Sequence, residues 1–142
     1  MDAPFTLIPP APGGTSKLLF LCDHASNRVP PDYDGLGLPP PLFETHIAYD
    51  IGAAFVTEAL AEAHGASALL GTQSRLVIDL NRGADDPTLV MKLSDGSIVP
   101  GNRNADAAEV ARRLQRFHAP YHAAIKEQIA RIGPGAILVS IH

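Results

Sequence analysis

Two short aliphatic runs lie near opposite ends of this 142-residue chain, and each leads straight into a histidine. The first, residues 17–22, opens into Asp23-His24-Ala25-Ser26-Asn27; the second, residues 136–141, ends in His142. Runs of this length, rich in aliphatic residues and bounded by turn formers such as Gly133-Pro134-Gly135, predict buried strands. Open α/β sheets gather ligands and chemistry at the carboxyl ends of their parallel strands. Two strand ends that each carry an imidazole therefore favour a fold that brings residues 24 and 142 together.

The chain between them supplies the other elements. Helical spacing of Ile47, Ile51, Ala54, Phe55, Ala59 and Ala63 predicts a helix over residues 42–63, stopped by His64-Gly65, with His64 complementing the helix dipole. Pro30-Pro31 and Pro39-Pro40-Pro41 keep the preceding loop out of helix interiors. Further strands are expected at 66–70 and 75–80, and a hairpin across 89–99 turning at Ser94-Asp95-Gly96-Ser97. Asp106 has the character of an N-cap for a helix reaching Ile132, kinked or divided at Pro120. This order predicts an α/β fold with a mostly parallel sheet and helices on both faces. Residues 1–16, rich in Pro and Gly, read as a flexible lead-in, and residues 17–142 as one domain.

Composition narrows the function. The formal charge is −4, and the one basic cluster, Arg112-Arg113 with Arg116, reads as the solvated face of a helix, so no nucleic-acid partner is expected. The single cysteine, Cys22, excludes an internal disulfide, fits a reducing compartment and reads as a core residue. No run approaches the roughly 20 apolar residues of a membrane span, and Met1-Asp2-Ala3-Pro4 lacks the pattern of a signal peptide. A cytoplasmic protein with no membrane partner is expected.

Several side chains have the chemistry of a site. His24 is flanked by Asp23, Ser26 and Asn27, all able to orient an imidazole. His46 and Asp50, four apart on the expected helix, share a face, so either or both can join a metal site. With His24 and His142, His46 or Asp50 makes a three-ligand N/O set, the pattern of catalytic zinc with one open position. Arg75 and Arg82 bracket an apolar run and offer forks for carboxylates, or Arg82 makes a structural salt bridge with Asp79. His118 and His122 lie four apart without the glutamate of the metalloprotease pattern, which favours a helix-face or substrate-edge role.

In chain order, Cys22-Asp23-His24-Ala25-Ser26-Asn27, His46-Ile47-Ala48-Tyr49-Asp50-Ile51-Gly52-Ala53, the run from Ser74 to Arg82, Pro120-Tyr121-His122 and Val139-Ser140-Ile141-His142 resemble the N-formylglutamate amidohydrolase family. The resemblance implies a phosphorylase/hydrolase-like fold related to zinc carboxypeptidases and cell-wall amidases. It implies hydrolysis of the formyl C–N bond of N-formyl-L-glutamate, or of a related small N-acyl amino acid, in histidine degradation. Zinc, or another divalent metal, is implied on His24 and His142, with His46 or Asp50 as third ligand. Asp23 and Asp50 are the implied catalytic or orienting carboxylates. Ser26, Asn27, Arg75, Asn81, Arg82 and His122 are the implied substrate-binding positions. Family members continue beyond the position of His142, so a missing C-terminal part of the fold is expected. The alternative is a non-catalytic unit, binding metal or carboxylate, that assembles with another chain; a homodimer through an exposed sheet edge is expected.

Overall fold

The computed structural model describes residues 3–142; Met1 and Asp2, the start of the expected lead-in, lie outside the described residues. The elements run β1 (Phe5–Ile8), β2 (Leu18–Cys22), α1 (Ala53–His64), β3 (Ser67–Gly71), β4 (Leu93–Ser94), β5 (Ser97–Ile98), α2 (Ala107–Arg113), α3 (Ala119–Ile132) and β6 (Ile137–Ser140). Four strands form one sheet in the order β1-β3-β2-β6, with β1 antiparallel and the rest parallel. Leu18 of β2 registers with Ile137 of β6, so both strands finish at the same edge and bring His24 beside His142.

Alternation along the strands builds a core on each face. Leu19, Leu21 and Leu69 join Tyr121, Ala124 and Ile125 of α3, while Phe20, Cys22, Ala68 and Leu70 join Ala53 and Ala61 of α1. Cys22 is a core residue, and burial pushes its thiol up to about 11. Asp106 caps α2 by accepting from the Glu109 amide at 2.9 Å. A π turn at Leu114–His118 then runs α2 into α3 without a break, and Pro120 falls in the first turn of α3, directly after this widened turn, which accommodates a residue that has no amide. Among the described residues no helix is long and apolar enough to cross a membrane.

The structure departs from the sequence expectations in five places. Part of the lead-in is strand: β1 pairs with β3 from Phe5↔Gly71 to Ile8↔Ala68. The helix expected over 42–63 begins only at Ala53, because Pro40–Glu44 is a short 3-10 turn and Gly52 takes φ 84°. Its buried stripe is Ala53, Thr57 and Ala61, small residues that let the helix approach the sheet, while Ile51 and Phe55 are exposed. Residues 75–80 are not a strand. Their buried carbonyls find side chains instead: Asn102 Nδ2 donates to Leu76 O at 2.8 Å and Arg113 Nη1 to Val77 O at 2.9 Å. Arg113 is thus 1% exposed rather than solvated, pairing also with Glu109 at 2.8 Å. The hairpin is also shorter than expected, with Asp95 and Gly96 at positive φ as a two-residue turn.

Candidate metal centre

The loop after β2 turns back on itself, with the Asp50 amide donating to His24 O at 3.0 Å. This contact fixes Asp50 beside His24 although the two lie 26 residues apart. Asp50 Oδ2 is 3.1 Å from His24 Nδ1 and 2.9 Å from His142 Nδ1. His24, Asp50 and His142 offer one donor atom each, all within 4.8 Å of one another. The His24 and His142 rings meet edge-on with centroids 5.4 Å apart.

Behind this trio stands a buried carboxylate. Asp79 Oδ1 lies 2.7 Å from His24 Nε2 and 2.9 Å from the Asn81 amide, while Oδ2 accepts from Arg75 Nη2 at 3.1 Å and Arg82 Nε at 3.3 Å. A neutral His24 gives its one ring proton to Asp79, which leaves the Nδ1 lone pair aimed at the anionic Oδ2 of Asp50. Two lone pairs facing at 3.1 Å repel unless a cation, or a second proton on His24, lies between them. Burial opposes a charge on His24, but the Asp79 hydrogen bond and charge prevail and raise its pKa. The donor set therefore fits a divalent ion: two imidazoles and a carboxylate, one imidazole held from behind by a second carboxylate.

Asp23 adds another acid at the edge of the trio. Tyr121 donates its hydroxyl to Asp23 Oδ1 at 2.7 Å, and Asp23 Oδ2 is 3.8 Å from His142 Nε2. Both Asp23 and Tyr121 are buried, and burial together with the carboxylate raises the Tyr121 pKa. A cavity of about 430 Å³ is lined by Asp23, Ser140, Asn81, Arg82, His118 and His122 among others.

The other candidates are placed differently. His46 is exposed and pairs with Asp95 at the hairpin tip, 2.9 Å away, because residues 45–52 are turns and do not hold positions 46 and 50 on one face. It is no part of the trio. Arg75 spends its terminal nitrogens on Asp79 and, at 3.7 Å, on Asp50. Asn27 holds a neighbouring turn through Phe43 O at 2.9 Å, and Ser26 lines a separate cavity of about 220 Å³. Asp79 and Tyr121 escaped the sequence reading as site residues. The available signal was a lone acid within the apolar run 76–80, since an ionised group in such surroundings needs partners.

A model of the N-formylglutamate amidohydrolase family matches residues 16–142. The chain belongs to that family. No curated protein matches it by sequence. Its fold is similar to the crystal structure of gene product Atu2144 from Agrobacterium tumefaciens, with TM-score 0.91 and 31% identity over 99% of this chain and 56% of that one. It is also similar to N-formylglutamate amidohydrolase from Ralstonia eutropha JMP134, with TM-score 0.76 and 29% identity over 92% of this chain and 52% of that one. The chain thus spans about half the length of these two solved structures.

Proposed function

We propose that this protein is a metal-dependent amidohydrolase that cleaves the formyl C–N bond of N-formyl-L-glutamate, or of a closely related N-acyl amino acid, to formate and the free amino acid. The observation that carries the reading is the convergence of His24, Asp50 and His142 in a chain of this family. The mixed imidazole and carboxylate set suits zinc among the common divalent ions. When bound, such an ion supplies Lewis acidity to a carbonyl oxygen and lowers the pKa of a bound water toward about 7.

The protein's own groups supply the rest. Asp79 fixes the tautomer and tilt of His24, and Arg75 holds Asp79 and Asp50 against each other. Asp23, anchored by Tyr121 and lining the cavity, takes the proton from the attacking water and returns it to the departing amine. Water oxygen thus joins the formyl carbon as the C–N bond breaks. In the same cavity, Arg82 and Asn81 receive the carboxylates of the substrate. The test is formate release from N-formyl-L-glutamate by the zinc-loaded protein, with His24→Ala as control. Zinc-dependent release lost in the control supports the reading; absence of formate from zinc-loaded protein overturns it.

One observation favours the second reading, a metal- and carboxylate-binding unit that assembles with another chain. Among the described residues β6 pairs only with β2, and Ile137 and Leu138 are 54% and 44% exposed at that edge. On this reading the purified protein binds zinc, self-associates and releases no formate.

A further inference from the structure

The helix face that carries Tyr121 to Asp23 also carries two histidines whose use the reaction leaves open. His118, Tyr121 and His122 are spaced i, i+3, i+4, so they share one helix face, and the two histidines line the cavity. His118 Nε2 lies 2.8 Å from Arg82 O, and His122 Nε2 lies 2.9 Å from Leu80 O. A carbonyl only accepts, so each ring donates from Nε2, which fixes both tautomers and removes both Nε2 atoms from metal binding. The rings stack with centroids 4.2 Å apart at 34°, and Tyr121 meets His122 edge-on at 88°.

The segment they grip has no strand neighbours to set it. Residues 75–82 lie outside any strand, held by turn and side-chain contacts: Asp79 N to Leu89 O at 2.9 Å, Asn81 N to Asp79 Oδ1 at 2.9 Å and Arg82 N to Asp79 O at 3.2 Å, while the Leu80 and Arg82 carbonyls go to the two histidines. Arg82 itself is only partly engaged: Nε reaches Asp79 at 3.3 Å, Nη1 lies 3.9 Å from Asp86, and the side chain is 35% exposed. Its aim into the cavity therefore depends on where its backbone is held. We infer that His118 and His122 are positioning residues, a stacked imidazole clamp that holds the Leu80–Arg82 backbone so that Arg82 faces the cavity and selects a dicarboxylate substrate. This rests on the reading that the Arg82 side of the cavity takes a substrate carboxylate. Burial keeps His118 below the usual imidazole range, in keeping with a neutral ring that donates to a carbonyl.

The test is calorimetric binding of glutarate, a dicarboxylate without an amide to cleave, to the zinc-loaded protein. His118→Phe and His122→Phe keep a ring and lose the donor, and each is expected to weaken glutarate about tenfold, the scale of one lost hydrogen bond to an oriented backbone. Zinc affinity stays unchanged in both, which reports an intact fold. His118→Gln and His122→Gln, whose amide nitrogen reaches the Nε2 position, hold glutarate binding within about threefold. In an Arg82→Ala background the Phe substitutions cost less than about twofold more, since their effect passes through Arg82. Should the Phe variants lose zinc, His→Asn against His→Gln at the same positions decides, the shorter amide losing glutarate and the longer one retaining it. Phe variants that bind glutarate as the wild type does, or that lose as much without Arg82, overturn the clamp. A wild type that binds no glutarate overturns the clamp and the carboxylate reading together. Formate release that fails while glutarate binding shows this pattern overturns only the hydrolase reading.

Discussion

Replacing Asp79 by Asn removes one charge and nearly preserves the shape of the site. Four groups point at this carboxylate: His24 Nε2 at 2.7 Å, the Asn81 amide at 2.9 Å, Arg75 Nη2 at 3.1 Å and Arg82 Nε at 3.3 Å. Burial works against its charge, but the hydrogen bond from His24 and the surrounding positive groups hold the carboxyl down at about 2, against an ordinary value of 3.8. A carboxyl depressed in the fold stabilises the protein above its unfolded pKa, and that contribution fades as pH falls from about 3.8 toward 2. With the side chain only 2% exposed, the shift corresponds to about 2 kcal/mol at neutral pH. Asp79→Asn loses this in the metal-free protein and flattens the acid limb of its stability curve. Asp79 also orients His24, and loss of such a partner weakens metal binding by about 10–100-fold. Urea unfolding of the metal-free protein between pH 7 and 2, with zinc titration at pH 7, measures both effects. Zinc affinity within twofold of wild type, together with an unchanged acid limb, would refute the role given to Asp79.

The same contacts predict further outcomes. Because the pKa of His24 is raised in the metal-free protein, zinc must displace a proton from it, so zinc affinity rises with pH across the imidazole range. Titration in buffers of different ionisation enthalpy counts the proton released, and none released contradicts this. Arg113→Met leaves Val77 O and Asn102 Oδ1 without their buried donor, while Glu109 keeps Arg112, and costs about 2–3 kcal/mol in urea unfolding; a loss below about 1 kcal/mol contradicts the network. On the proposed reaction, Tyr121→Phe frees Asp23 Oδ1 and lowers the turnover number for formate release more than it raises KM; a change in KM alone contradicts it. The exposed β6 edge predicts self-association that Leu138→Lys abolishes; light scattering that finds a monomer at high concentration counters it.

The three parallel strands were legible in the sequence because β2, β3 and β6 are aliphatic runs between turn formers, a pattern that short local segments carry complete, whereas β1 lay in the Pro- and Gly-rich stretch read as a lead-in. His24 and His142 were legible for the same reason, since the end of a strand sets the position of the residue just beyond it. The 75–80 run misled because an apolar stretch reads alike whether its carbonyls meet another strand or, as here, Asn102 and Arg113 from distant turns. The helix ending at His64 was legible to its stop at Gly65, but its start was not, because Ile47 and Ile51 keep helical spacing within turns and Phe55 stays exposed while small Ala and Thr residues face the sheet. Asp50 and His46 were indistinguishable by spacing. Their separation comes from the backbone contact of Asp50 to His24 O, a tertiary contact that local pattern does not encode.

The most direct test of the metal centre is a zinc-soaked crystal examined by anomalous scattering at the zinc edge. The account predicts one peak at ligand distances of about 2.0–2.2 Å from His24 Nδ1, His142 Nδ1 and an Asp50 carboxylate oxygen, lost in Asp50→Asn and retained in His46→Ala. No peak among these three residues, or a peak on His46 or on the His118–His122 pair instead, contradicts it.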